Sequence, residues 1–461
     1  MLQIKWVLLL AFGLRALLAI MALLVSGGDI TAFHTLDTGS YIQAAQAWAA
    51  TGRFAINGLP EIIRTPGYPL LLLPGAWLGH LELVAVGLQV LISCFTVYLV
   101  YRVGLLLFKS ERIVTVCALL YAVEPLSILF TTRILTETLF TFLVALFLYL
   151  FLSYLERRAL AYLVASALVL AATAYVRPIS LYLPLLLAPV LLTWVVSRGR
   201  QLFLAVGLTA LFLSVSLGAV RLWEWRNETQ AAYHGFSAIS DINWYFYQGA
   251  SVTASHRGVP YYVVQDELGY SDLEVYFRQH PEQRAWRPGS VYEYMGSEGR
   301  KAVLADLPAY SRIHFTGVLK TLTNPGGVEY LLLLKLYEGS GFGIAVNAGM
   351  GETLRYLLIE NPLLLLVNLL FGGLLAVYLL GSLLALSARE ARSAMLLVVV
   401  LVAAYLVFMS GGPQSLSRFR HPVMPELCVL AGYTLAVLVP RWVGRRRGRR
   451  ARALEAAASR G

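Results

Sequence analysis

Apolar runs long enough to cross a bilayer recur along this chain, and they constrain its fold more than any other feature. A run of about 20 apolar residues spans as a helix, because the hydrocarbon offers backbone N–H and C=O groups no partners but each other. Such runs lie near 6–26, 83–107, 113–130, 137–155, 159–176, 180–196, 202–222, 362–386, 394–410 and 423–440 of the 461 residues. The expected fold is an all-α polytopic membrane protein with about 10 (9–12) transmembrane helices. Composition agrees, with 58% apolar and 14% charged residues against about 45–50% and 25% in soluble proteins. A cytosolic enzyme, a secreted disulfide scaffold and a disordered chain are excluded. The first run, from Trp6 to Val25, exceeds the ~7–15-residue core of a cleaved signal and reads as a permanent helix. Cys94, Cys117 and Cys428 sit inside apolar runs and make neither a disulfide framework nor a metal site.

Charge sets the expected orientation. The net charge is +11, and residues 441–461 hold eight Arg against one Glu, which is +7 of it. No basic-aromatic module accompanies this charge, so nucleic acid is not expected as a partner. A basic segment after the last apolar run reads instead as a cytoplasmic membrane flank. Lys109 and Arg112, Arg157 and Arg158, Arg198 and Arg200, and Arg389 and Arg392 fall on the same side. Both termini are then cytoplasmic, and loops 27–82, 131–136, 177–179, 223–361 and 411–422 face outward. The absence of recognisable retention signals favours a bacterial inner membrane.

The organisation follows: an N-terminal transmembrane module over 1–222 with its first outer loop at 27–82, an extracytoplasmic α-rich (mixed) domain over 223–361, C-terminal spans over 362–440, and the basic tail. In the first loop Tyr41, Ala44, Ala45 and Trp48 recur at helical spacing and predict an amphipathic helix on the membrane. The second loop is rich in Tyr and Trp, as suits headgroup depth. It should carry helices at 290–307 and 309–322, broken before Pro308. The apolar stretch 328–346, interrupted by Lys335, Glu338 and glycines, reads as interfacial. Asn227-Glu228-Thr229 is a sequon on the outer side.

Polar residues at the outer membrane surface are costly and mark function. Asp37 precedes the amphipathic helix, where it can serve as an N-cap or as a general base kept ionised by the helix terminus. Arg64 opens Arg64-Thr65-Pro66-Gly67-Tyr68-Pro69, a rigid turn at headgroup depth whose guanidinium suits a phosphate. Arg133 and Glu137 are four apart and could pair on one helix. Arg177 closes another outer helix end. Arg418, Arg420 and His421 precede the last span, and Glu124 and Glu426 stand beside prolines in spans. Each Arg alone reads as an interfacial anchor. Four distant segments with Arg at one depth point instead to a common anionic ligand, of which a lipid phosphate is the natural candidate. No P-loop, HExxH or Gly-x-Ser-x-Gly motif is present, and no His pair has metal spacing. Neither a cofactor nor a metal is expected.

In this order, Asp37 with Tyr41, the Arg64–Pro69 turn, Thr136-Glu137, and Arg418-Phe419-Arg420-His421-Pro422-Val423-Met424-Pro425 make the chain resemble the polytopic lipid-dependent glycosyltransferases of the C superfamily, the relatives of protein O-mannosyltransferase and of the aminoarabinose transferase that modifies lipid A. The resemblance covers about residues 1–440. It implies a polyprenyl-phosphate-linked sugar donor, an extracytoplasmic lipid, glycan or protein acceptor, and membrane lipids as surroundings. It implies Asp37 as the base that deprotonates the acceptor, inversion at the anomeric carbon, and Arg64, Arg177, Arg418 and Arg420 near the leaving phosphate. Tyr68, Arg133, Glu137 and His421 complete the expected substrate-binding set. The sequence departs from the protein mannosyltransferases, which carry paired Asp-Glu where Asp37 is followed by Thr38. Two rival readings stand beside this one: an oligosaccharide polymerase or ligase using a lipid diphosphate, and a transporter without chemistry, for which the acidic groups in spans would form a proton path. No internal repeat of the transporter kind is visible.

Overall fold

The computed structural model describes residues 2–339, 350–387 and 394–442. Arg389, Arg392, residues 443–461 of the basic tail and part of the 328–346 stretch lie outside the described residues. Helices dominate. Among the described residues seven are long and apolar enough to cross a membrane: Ile4–Val25, Leu81–Phe108, Glu137–Arg157, Pro178–Ser197, Leu202–Ala231, Pro362–Leu386 and Ser417–Trp442. The other three expected spans are occupied by shorter helices. Two of these, Leu160–Val176 and Ala394–Met409, are continuous. The third is broken into Glu111–Ala122 and Pro125–Leu129.

The helices up to the long loop are α1 (Leu2–Val25), α2 (Thr38–Thr51), α3 (Gly67–Leu78), α4 (Leu81–Phe108), α5 (Glu111–Ala122), α6 (Pro125–Leu129), α7 (Glu137–Arg157), α8 (Leu160–Val176), α9 (Leu183–Ser197) and α10 (Leu202–Ala231). One hydrophobic core joins α1, α4, α5, α7, α8 and the last span. The α5–α6 break is built into it. Glu124 caps α6, its Oε1 accepting from Leu126 N at 3.1 Å and its Oε2 from Ser127 N at 2.5 Å. The carbonyls that the break strands find side-chain donors from elsewhere, as they must at membrane depth. Tyr378 donates to Leu120 O at 3.0 Å, Tyr330 to Pro125 O at 2.6 Å, and Arg15 Nη1 to Ala122 O at 3.0 Å.

Arg15 was not singled out from the sequence, although a lone Arg in the middle of a span is a signal in itself. It is fully buried. Its Nε donates to Ser93 Oγ at 2.7 Å and its Nη2 to Ser127 Oγ at 2.9 Å, so it ties α1 to α4 and to the break. Arg15→Leu should cost about 3 kcal/mol or more, since hydrogen bonds to a charged donor are worth ~1.5–3 kcal/mol each. A thermal melt in detergent that matches wild type would show the anchor to be dispensable.

In the first loop α2 forms where the apolar spacing predicted it, but its apolar face is not turned to lipid. Tyr41, Ile42, Ala44 and Ala45 are buried, with α2 seated on α3, and the Trp48 ring meets Phe54 edge-on at 5.2 Å. The protein covers the face that the sequence assigned to the membrane. A two-residue hairpin pairs Ala55 with Pro60 and Ile56 with Leu59. Its turn is Asn57-Gly58, with φ of 51° and 79°, the left-handed pair that a tight hairpin turn requires.

The helix begun at Leu202 runs on to Ala231, so residue 222 falls inside it. Asn227 of the sequon lies on this helix and is buried. Its Nδ2 donates to Gly235 O and Phe236 O, both at 3.0 Å. That amide is committed to the fold and is not presented as a glycosylation acceptor. Short helices follow around a core of Tyr245, Phe246, Tyr276, Val291 and Met295. The expected pair is present as α11 (Pro288–Ala305) and α12 (Leu307–Thr323), and Asp306 caps the second by accepting from Ala309 N at 2.9 Å. The last helices are α13 (Pro362–Leu386), α14 (Ala394–Met409) and α15 (Met424–Tyr433). Gly317 of α12 lies on the loop leading to residue 417, and a Cβ there would stand 2.2 Å from Gly412 O. Gly317→Ala should therefore displace that loop and lower activity more than stability, which paired melting and turnover measurements check.

Candidate active site

Five charges from distant segments meet at one end of the helical bundle. Asp37 stands before the first turn of α2, but its side chain makes no capping bond. The carboxylate is turned to two guanidiniums: Oδ1 accepts from Arg64 Nη2 at 3.0 Å and Oδ2 from Arg418 Nη1 at 2.9 Å. Arg177 Nη1 donates to Glu137 Oε1 at 3.0 Å. Arg418 Nε lies 4.0 Å from that same oxygen. The order is Arg64, Asp37, Arg418, Glu137, Arg177, three cations against two anions. Exposure grades across it: the Asp37 side chain is 32% exposed and Glu137 only 2%.

Local sequence explains how these residues arrive. Glu61 Oε1 accepts from the backbone N–H of Ile63 at 2.6 Å and of Arg64 at 2.8 Å, folding the chain sharply before Arg64. Thr65 Oγ1 donates to Val176 O at 3.2 Å. Gly67 lies so close to the end of α8 that a Cβ would stand 2.6 Å from Tyr175 O. The prolines and this contact set the Arg64 turn beside the helix end that carries Arg177. Glu137 opens α7. Arg418 projects from a 3-10 stretch, Ser417–Val423.

Aromatic rings hold the cations. The Arg64 guanidinium lies 4.7 Å from the Tyr41 ring centroid. Phe419 is shared, with Arg418 at 4.9 Å and Arg177 at 5.5 Å, and Arg177 is also 5.6 Å from Phe140. A guanidinium on a ring face is stabilised without losing its donors. Burial pushes the Asp37 carboxyl up, but Arg418 and Arg64 outweigh it and hold it below the ordinary carboxylate range. Asp37 is ionised.

Four of the expected residues are not brought to this cluster. Tyr68 is buried, and its hydroxyl donates to Gln89 Oε1 at 2.8 Å. Arg133 does not pair with Glu137, because residues 131–136 form turns and the helical four-residue rule does not apply there. It donates instead to Ala32 O at 2.9 Å and Glu329 O at 3.4 Å. Arg420 is buried, its Nη1 reaching Thr321 O and Asn324 O, each at 2.7 Å, at the end of α12. Two residues apart on a 3-10 turn of three residues, Arg418 and Arg420 point to different sides. His421 is buried, with Nδ1 3.0 Å from Thr141 Oγ1. Ser40, Phe140, Phe419 and Gln89 support the site and were not picked out as site residues. Contact geometry reveals Ser40 and the two rings, which carry no signal of their own, whereas Gln89 could have been found as an amide inside an apolar run. Among the described residues no three His, Cys, Asp or Glu side chains gather as a cation site.

The fold has a likeness among solved membrane proteins. It is similar to the archaeal oligosaccharyltransferase AglB from Archaeoglobus fulgidus, solved in complex with an inhibitory peptide and a dolichol-phosphate. The TM-score is 0.52 at 12% identity, covering 96% of this chain and 52% of that one. The chain thus spans about half the length of that protein. ArnT from Cupriavidus metallidurans, bound to undecaprenyl phosphate, aligns with a TM-score of 0.38 at 16% identity, over 92% of this chain and 78% of that one. No family model and no curated protein matches the sequence.

Proposed function

We propose that this protein is an integral membrane glycosyltransferase. It moves a sugar from a polyprenyl-phosphate donor to an acceptor hydroxyl on a lipid, glycan or protein, on the outer face of a bacterial inner membrane with both termini cytoplasmic. The observation that supports this most is the juxtaposition of an ionised carboxylate with guanidiniums whose donors are not all used. Among the described residues, Arg177 and Arg418 each spend one Nη on a carboxylate. Arg418 Nε has no hydrogen-bond partner. The cluster carries one more cation than anions, which suits one phosphate.

In the proposed reaction the acceptor oxygen attacks the anomeric carbon from the face opposite the lipid phosphate. Its proton passes to Asp37. The bond between the anomeric carbon and the phosphate oxygen breaks, and the electron pair stays on that oxygen, so configuration inverts. Arg177 and Arg418 face the charge that develops there, the arrangement that lowers a barrier most. Because guanidiniums fill that role, the reading needs no metal, and treatment with a chelator should leave the rate unchanged.

The test is transfer from short-chain polyprenyl-phosphate monosaccharides to a membrane and periplasmic extract, following release of polyprenyl phosphate. Release by wild type and not by Asp37→Asn supports the reading. No release from monophosphate donors, with release from lipid-diphosphate oligosaccharides, would move the assignment to a polymerase or ligase. No release from either would leave transport.

A further inference from the structure

We infer that Arg64 is a positioning residue that aims Asp37, rather than a ligand of the donor phosphate, and that it is held in turn by a file of side chains running through Tyr41, Tyr68 and Gln89. This rests on the functional reading above and goes beyond it by dividing the three arginines of the cluster into two roles.

The donor inventory carries the argument. Arg64 spends every nitrogen: Nε donates to Ser40 Oγ at 3.0 Å, Nη1 to Tyr41 OH at 3.2 Å and Nη2 to Asp37 Oδ1 at 3.0 Å. Ser40 in turn donates to the Asp37 backbone carbonyl at 2.7 Å, so the guanidinium holds Asp37 twice, directly at the carboxylate and through the Ser40 hydroxyl at the main chain. Two of its five N–H donors remain, one on each Nη, but a phosphate drawing on them would meet a guanidinium already held at every nitrogen. Arg418 and Arg177 keep nitrogens in reserve.

Behind Arg64 stands a support that a mere anchor does not need. The Tyr41 ring lies under the guanidinium and meets the Tyr68 ring edge-on at 5.2 Å. Tyr68 donates to Gln89 Oε1 at 2.8 Å, and Gln89 Nε2 donates to Thr131 O and Arg133 O, each at 3.0 Å. Tyr68 and Gln89 are fully buried. This file fixes the height of Arg64 from α4 and from the turn before α7. Tyr68, expected to touch substrate, acts through Tyr41 instead.

The test compares Arg64→Ala, Arg64→Lys and Tyr68→Phe with Arg418→Ala. Donor kcat and KM, the pH profile of kcat, and direct binding of a short-chain polyprenyl phosphate are measured. Arg64→Ala should lower kcat by ~10²-fold, the size of effect a misplaced catalytic group produces, with donor KM and polyprenyl-phosphate binding within about twofold of wild type. Arg64→Lys keeps the charge but not the fork, and should recover part of the loss. Tyr68→Phe should lower kcat several-fold in the same direction.

The pH profile adds a readout that a structural role would not move. The groups facing Asp37 are Arg64 and Arg418, with Tyr41, Glu137 and Arg177 behind them. A base works when deprotonated, so activity is lost as pH falls through its pKa. Removing Arg64 removes one of the two cations that hold Asp37 low, so the acidic limb of kcat should move to higher pH. Donor binding weakened tenfold or more in Arg64→Ala, as in Arg418→Ala, would overturn the inference. So would an unchanged kcat with an unmoved acidic limb. A wild-type protein that transfers from no donor overturns the functional reading instead.

Discussion

Asp37→Asn abolishes transfer, by ~10³-fold or more, the upper range for removal of a general base, while the variant still folds and binds polyprenyl phosphate at least as tightly as wild type. The asymmetry follows from the pairing. In the resting site Asp37 occupies Arg418 Nη1 at 2.9 Å. A donor phosphate entering the cluster competes with that carboxylate for the same guanidinium. Asparagine keeps the shape and an acceptor oxygen for Arg64 but withdraws the negative charge, so the rival is weakened and the cations are freed. Turnover is followed by release of polyprenyl phosphate, and binding by titration of the same lipid on inactive protein. Near-normal turnover would remove Asp37 as base. Lost binding together with a lowered melting midpoint would make its charge a structural element.

Arg418→Ala has the second large effect, and unlike Asp37→Asn it weakens donor binding. Donor affinity should fall ~10–100-fold, since a charge-assisted hydrogen bond to phosphate is worth about 1.5–3 kcal/mol. The residue is the hinge of the cluster, bonded to Asp37 and 4.0 Å from Glu137. Its loss also leaves Asp37 with Arg64 alone and takes a cation from the developing charge, so kcat should fall along with donor affinity. Arg418→Lys should restore part of the affinity, because a point charge still attracts phosphate without the two-pronged geometry. An unchanged KM in Arg418→Ala would return the phosphate to Arg177.

The two variants would separate the proposed base from the proposed phosphate site, although both belong to one ladder of charges. Its members lie far apart in the chain, Asp37 and Arg418 by 381 positions and Arg177 and Glu137 by 40. Every member of that ladder was legible in the sequence as a charge that the pattern places at the outer membrane surface. Their pairing was not. Arg133 and Glu137 carried the spacing of a helical ion pair, yet the chain is not helical at Arg133, and each found another partner. Arg418 and Arg420 looked equivalent, yet a 3-10 turn sends one to the cluster and the other to the end of α12. Arg15, fully buried in α1, marks a limit of another kind. It shows as a polar residue in an apolar run, but its partners include the stranded Ala122 carbonyl and the Ser127 hydroxyl of a helix break more than 100 positions away.

What the sequence determined by itself is the class of architecture and the depth of the charges. Apolar runs of spanning length must be helices, because a bilayer gives the backbone no other partners, and a polar residue at the end of such a run is placed by the length of the run. What only the tertiary structure decided is which charges neutralise one another, which face of α2 is covered by protein, and which side chains stand behind the site. Those outcomes depend on distances of a few ångströms between segments that packing brings together. A one-dimensional pattern of hydrophobicity fixes how deep a residue lies, but not its neighbour across the bundle.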